Sequence, residues 1–95
     1  MAASGNGGKR RVVFSIRAPE ASEVFLCGSF NGWDLTRTRM KPDGEGQWRA
    51  QVMLVPGTYE YRLRVDGEWI NDPEAETVPN PYGTTNCVRV VQPPA

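Results

Sequence analysis

The chain has 95 residues, eleven basic and eleven acidic, with three tryptophans, two cysteines and no histidine. That length makes one domain with one modest core, and the cancelled charge gives no pull toward nucleic acid or an anionic membrane. Without histidine, serine–histidine and cysteine–histidine catalysis lack their base, and two cysteines alone do not build an ordinary zinc site.

Residues 1–9 are small and polar and read as a flexible N-terminal arm. They hold no apolar run of the kind a signal peptide needs. A cytoplasmic location is therefore expected, or a plastid if the source is a plant, with Cys27 and Cys87 as free thiols. No stretch approaches the roughly 18 apolar residues of a membrane span. Residues 10–91 read as one β domain. Val12, Phe14 and Ile16 alternate with Val13, Ser15 and Arg17. Glu23–Cys27 is mostly apolar and suits burial on both faces. Trp48, Ala50, Val52 and Leu54 alternate with Arg49, Gln51 and Met53. Tyr59, Tyr61, Leu63 and Val65 alternate with Glu60, Arg62 and Arg64, and Asn86, Val88 and Val90 with Cys87, Arg89 and Val91. Period-two alternation marks strands. Asn31-Gly32, the cluster from Pro42 to Gly46, Pro56-Gly57, Asp66-Gly67 and Asp72-Pro73 separate them as turns. No helix is expected, because proline and glycine recur too often. Residues 92–95 form a tail whose prolines lack the ladder donor. The pattern predicts an all-β, immunoglobulin-like antiparallel β-sandwich of about seven strands.

The tryptophans sort by parity. Trp48 shares the face of Ala50, Val52 and Leu54, so it belongs to the core. Asp66-Gly67 is a two-residue hairpin signal. It sets Val65 opposite Glu68, Arg64 opposite Trp69 and Leu63 opposite Ile70. Ile70 then joins the core face, while Arg62, Arg64, Trp69 and Asn71 share the outer one. The alternative is that the loop from Asp72 to Pro81 folds back over the indole. Trp33 stands in a long connection behind Phe30, which plugs the core end. The alternative for Trp33 is that it is only a lid over a sandwich end.

An outward indole beside guanidinium and amide groups suits a sugar. The C–H face of a pyranose is slightly positive and an indole face slightly negative, so the two stack. The hydroxyl rim then takes bonds from groups such as Arg62, Asn71 and Asn86. Two platforms set at an angle favour a curved α-1,4-glucan over a straight β-1,4-glucan.

The ordered string supports the same chemistry. Glu23-Val-Phe-Leu-Cys-Gly-Ser-Phe-Asn-Gly-Trp33, Trp48, Pro56-Gly-Thr-Tyr-Glu-Tyr-Arg-Leu-Arg-Val-Asp-Gly-Glu-Trp69, Asp72-Pro73 and Gly83-Thr-Thr-Asn86-Cys-Val-Arg-Val90 follow one another. Together they resemble carbohydrate-binding module family 48, which includes the glycogen-binding domain of the AMP-activated protein kinase β subunit and N-terminal domains of isoamylases and glycogen branching enzymes. The resemblance covers roughly residues 10–91. It implies stacking platforms at Trp33 and Trp69, a basic contact at Arg62, a loop residue at Tyr82 that enters the ring of glucose units, and polar contacts at Thr84 and Asn86. The family commonly carries lysine where Arg62 stands and leucine where Tyr82 stands. The expected function is non-catalytic binding of α-1,4-glucan, without cofactor, metal, nucleic acid or membrane. A kinase or glucan-active enzyme is an expected protein partner. The alternative is a docking domain that uses the same indoles against a protein. Asp34, Glu68 and Asp72 are the carboxylates that a glycosidase reading would pair. Aromatic platforms also suit nucleic acid, but zero net charge and the lack of a visible basic stripe speak against it.

Overall fold

A computed structural model describes residues 8–93. The arm and tail expected at the ends therefore lie mostly outside the described residues. The described strands are β1 (Arg10–Arg17), β2 (Val24–Gly28), β3 (Lys41–Pro42), β4 (Gln47–Leu54), β5 (Gly57–Val65), β6 (Glu68–Ile70), β7 (Glu76–Pro79) and β8 (Thr85–Val91). They form an antiparallel sheet β1-β4-β3 and a second sheet β2-β5-β8-β7, with β6 also paired to β5. Every strand pair is antiparallel. The all-β sandwich expected from alternation is what forms.

Its core lies where parity places it. Val12, Phe14 and Ile16 of β1 meet Leu26 of β2, Trp48 and Leu54 of β4, and Tyr61 and Leu63 of β5. Phe14 packs edge-on against Tyr61, their ring centroids 4.9 Å apart, and Phe30 closes that end 5.4 Å from Phe14. Trp48 is buried, and its indole N–H donates to the Ala18 carbonyl at 2.9 Å, so the burial leaves no polar atom stranded. Met40 completes the core from a crossing segment. The Leu26 N–H donates to the Thr38 carbonyl and the Met40 N–H to the Val24 carbonyl, so this segment covers the free edge of β2 before continuing as β3.

Four details differ from the sequence reading. A single 3-10 turn, Ser29–Asn31, follows β2. The stretch read as a plain loop contains strand β7, which among the described residues pairs only with β8 and ends on Pro79. An edge strand tolerates proline because its outer N–H groups need no partner. Ile70 pairs with Leu63 as expected yet is 37% exposed, because β6 extends past the end of β8 and no layer covers it. The fourth difference is electrostatic. The register puts Arg11, Val13, Ser15 and Arg17 of β1 on one outer face with Arg49, Gln51 and Met53 of β4 and Lys41 of β3. A basic face does exist, although the charge total hides it.

Cys27 and Cys87 are free, buried thiols. They sit on strands that flank β5 from opposite sides. Two strand spacings, about 9–10 Å, exceed the Cα separation of roughly 7 Å that a disulfide allows.

Candidate functional site

The hairpin after β5 forms in the register that Asp66-Gly67 dictates, with Arg64 opposite Trp69. Asp66 and Gly67 both have positive φ, 49° and 86°, as the right-twisting two-residue turn requires. The Asp66 carboxylate accepts the N–H groups of Ser22 and Glu23, which ties the turn to the start of β2. Trp69 consequently stands on the outer face, 39% exposed. The guanidinium carbons of Arg62 and Arg64 each lie 5.6 Å from its ring centroid. Arg62 is further fixed by Asn71, whose Oδ1 accepts from Nε at 2.7 Å. The Asn71 amide donates in turn to the carbonyl and hydroxyl of Thr85.

Trp33 is held differently. Asn31 clamps the turn: its Oδ1 accepts the Gly28 N–H at 3.0 Å, and its Nδ2 donates to the Leu26 carbonyl and the Thr38 hydroxyl. Gly32 and Trp33 then both adopt positive φ, 69° and 59°. Left-handed backbone is costly for a bulky L-residue, and the Trp33 N–H donates to the Gly28 carbonyl at 2.9 Å to hold it there. The ring is half-buried. The next residue, Asp34, accepts the Thr36 N–H, and that bond holds its carboxyl below the usual carboxylate range.

The third wall is the loop before β8. Asn80 organises it. Its Oδ1 accepts the N–H groups of Tyr82 and Thr84, and its Nδ2 donates to the Thr84 hydroxyl and to Asn86 Oδ1. Tyr82 is left 88% exposed at the tip. Asn86 is 9% exposed, and its Nδ2 donates to Glu60 Oε1 at 3.0 Å.

These three walls enclose one groove of about 920 Å³ on the outer face of the larger sheet. Trp33, Arg62, Trp69, Tyr82, Thr84 and Asn86 all line it. The loop from Asp72 to Pro81 does not bury Trp69. Glu60, Asn80, Ser29 and Thr58 also line the groove and were missed from the sequence. Glu60 was findable, since it shares outward parity with Arg62. Asn80 carried an Asn-Pro turn signal, but its bonds to Thr84 and Asn86 follow only from the folded loop. Asn71 supports Arg62 from beside the groove. Among the described residues, no group of three or more His, Cys, Asp or Glu side chains is placed to hold a metal. The groove offers indole faces, amides, a guanidinium and hydroxyls. Among the described residues, Glu60 is the one carboxylate of its lining.

The model of the glycogen recognition site of AMP-activated protein kinase matches residues 11–95. The chain belongs to that family. It is 40% identical over 80 residues to Protein FLOURY ENDOSPERM 6, chloroplastic, of Oryza sativa subsp. japonica, an overlap of 84% of this chain and 15% of that protein. It is 47% identical over 53 residues to Protein PTST homolog 2, chloroplastic, of Arabidopsis thaliana, covering 56% of this chain and 10% of that one. With 5'-AMP-activated protein kinase subunit beta-2 of Mus musculus the identity is 36% over 64 residues, covering 67% of this chain and 23% of that subunit. The chain thus spans between a tenth and a quarter of the length of these relatives. As a member of the glycogen-recognition family, the domain is a carbohydrate-binding β-sandwich.

Proposed function

We propose that this glycogen-recognition domain, residues 10–91, holds α-1,4-glucan chains without cutting them. Trp33 and Trp69 act as the stacking platforms. Arg62, Thr84 and Asn86 meet the hydroxyl rim, and Tyr82 enters the curve of the chain. The observation that carries the reading is that all six residues line a single groove. A concave site with walls from a turn, a hairpin and a loop suits a coiled glucan. A straight β-glucan would ask for coplanar platforms.

Hydrolysis of a glycoside takes two carboxyl groups facing each other across the bond. Among the described residues Glu60 stands in the groove without a second one, and Asp34, Glu68 and Asp72 do not line it. Two stacking platforms and a few polar contacts support modest affinity. Each stack contributes roughly 1–3 kcal/mol and each hydrogen bond about 0.5–1.5 kcal/mol, against an association cost of at least about 4 kcal/mol. The dissociation constant is then on the order of 10 μM to 1 mM. Weak sites suit a polymer, where many copies of the ligand lie side by side.

We propose a plastid location if the source is a plant, supported by two relatives named chloroplastic, and a cytoplasmic one otherwise. A kinase or glucan-active enzyme is the proposed companion, supported by its likeness to a kinase subunit. Titration with maltoheptaose, followed by indole fluorescence, tests the proposal. Saturation with maltoheptaose and none with cellohexaose is the expected result. Equal response to both sugars overturns the α-glucan assignment. Retention by neither glycogen nor starch in a pull-down overturns sugar binding and leaves the docking reading.

A further inference from the structure

The formal charge of zero conceals a segregation. On the outer face of the three-stranded sheet, facing away from the glucan groove, strand parity collects Arg11, Arg17, Lys41 and Arg49, and no acid from β1, β3 or β4 joins them. Lys41 lies directly opposite Arg49 in the register. Like charges in that position repel. Neither side chain makes a hydrogen bond or ion pair among the described residues. Between them and Arg39 lies a concavity of about 510 Å³, which Val13 and Gln51 also line. Two rim acids offset it only in part, one charge each against Arg39 and Arg49. Glu23 reaches Arg39 at 3.5 Å in an exposed pair, which is weak. The Asp43 carboxylate, held by the N–H groups of Glu45 and Gln47, keeps its charge and acts on Arg49 from the edge of the face. Among these cations two apolar side chains stand open, Val13 at 40% and Met53 at 43% exposed.

Solubility alone asks for mixed charge and few open apolar groups. The outward strand positions of this face carry one sign, in excess of the two rim acids, and an apolar strip. We infer that it is a docking surface for an acidic, partly apolar polypeptide segment of another protein, whose carboxylates enter the Arg39–Lys41–Arg49 concavity while its apolar side chains cover Val13 and Met53. Incoming carboxylates relieve the repulsion between Lys41 and Arg49 and replace water around them. Nucleic acid fits less well. The outer positions of these strands carry no aromatic side chain for a base to stack on, and a phosphate backbone leaves Val13 and Met53 uncovered. The inference is independent of the glucan reading, since the two sites lie on opposite faces.

The test uses the intact chain and a fluorescent peptide of alternating Glu and Leu, matched in length to β4, read by anisotropy. Saturable binding is expected, weakened about tenfold or more by Lys41→Glu with Arg49→Glu, and weakened by added salt. The milder pair Lys41→Gln with Arg49→Gln shows the same direction if charge reversal disturbs the fold. Replacing Leu by Ser in the peptide lowers affinity at least about threefold, because the apolar strip loses its cover. Maltoheptaose titrations stay unchanged in both variants, which separates failure here from failure of the glucan site. Three outcomes overturn the inference. The peptide fails to bind, or the variants bind it equally. Alternatively, a single-stranded oligodeoxynucleotide or phosphatidylserine vesicles outcompete the peptide at matched charge.

Discussion

Trp33 and Trp69 reach the same groove by opposite means. Trp69 stands on a strand paired residue by residue to β5, and its turn is closed by Asp66 and Gly67. Trp33 stands on a turn that no ladder supports, with its own backbone in the left-handed region and three bonds from Asn31 holding the loop. One platform inherits its geometry from regular structure. The other depends on a few polar contacts and carries strain of the kind found at binding sites. The two should therefore fail differently.

The largest effect is expected at Gly28, where the turn side meets β5. A Cβ added there would lie 2.6 Å from Phe30 Cε2 and 2.8 Å from the Glu60 carbonyl oxygen. The ring could rotate away, but the backbone oxygen has nowhere to go. Gly28 also donates its N–H to Asn31 Oδ1, and its carbonyl accepts the Trp33 N–H. Gly28→Ala should cost about 3 kcal/mol in urea unfolding, the upper part of the usual overpacking range, and should weaken maltoheptaose binding as the Trp33 turn shifts. An unchanged urea midpoint would mean that the turn has slack.

Strand β5 underlies both platforms, and its buried Tyr61 gives a pH handle. Burial pushes the Tyr61 phenol up to about 12 from its ordinary value of 10.0. Below pH 10 the folded and unfolded chains both hold the proton, so the contribution is complete. Between pH 10 and 12 the unfolded chain releases the proton while the folded chain keeps it. Stability then falls by about 1.4 kcal/mol per pH unit. The buried thiols of Cys27 and Cys87, also pushed up by burial, add loss of the same sign. Denaturation followed across that window should show the slope, and Tyr61→Phe should flatten it. A slope unaltered in Tyr61→Phe would assign it to other groups.

Trp69→Ala sharpens the comparison from the strand side. The ladder persists, so the fold should stay within about 1 kcal/mol of the parent. Glucan affinity should fall about 30-fold, equivalent to one stacking contact of about 2 kcal/mol. Isothermal titration with maltoheptaose reads this directly. Full affinity in the variant would remove Trp69 from the site.

The same contrast explains what was legible in the sequence. The hairpin register, the core parity and the outward place of Arg62 follow from local rules, because a two-residue turn fixes every pair beyond it. Glu60 follows from the same parity once the groove is known. Strand β7 was hidden because an edge strand with Glu76 and Pro79 has no alternating apolar face. Ile70 was misjudged because pairing fixes a side but not what covers it. The turn under Trp33 depends on Asn31 reaching Leu26 and Thr38, contacts that no spacing rule supplies. The basic face escaped notice because a charge total adds what the strand register separates.

The finest discrimination is between the same substitution at the two platforms. Asparagine tolerates the left-handed backbone that tryptophan resists. Trp33→Asn loses the packing of a half-buried ring but releases strain of about 1 kcal/mol. Trp69→Asn has nothing to recover. It gives up a strand-favouring aromatic and two guanidinium contacts at 5.6 Å. Trp33→Asn should therefore be the more stable of the two by about 1 kcal/mol, although both lose glucan affinity. Urea midpoints measured side by side decide it. If Trp33→Asn proves the weaker by that margin, packing of the Trp33 ring outweighs backbone strain, and the turn is held by its indole rather than in spite of it.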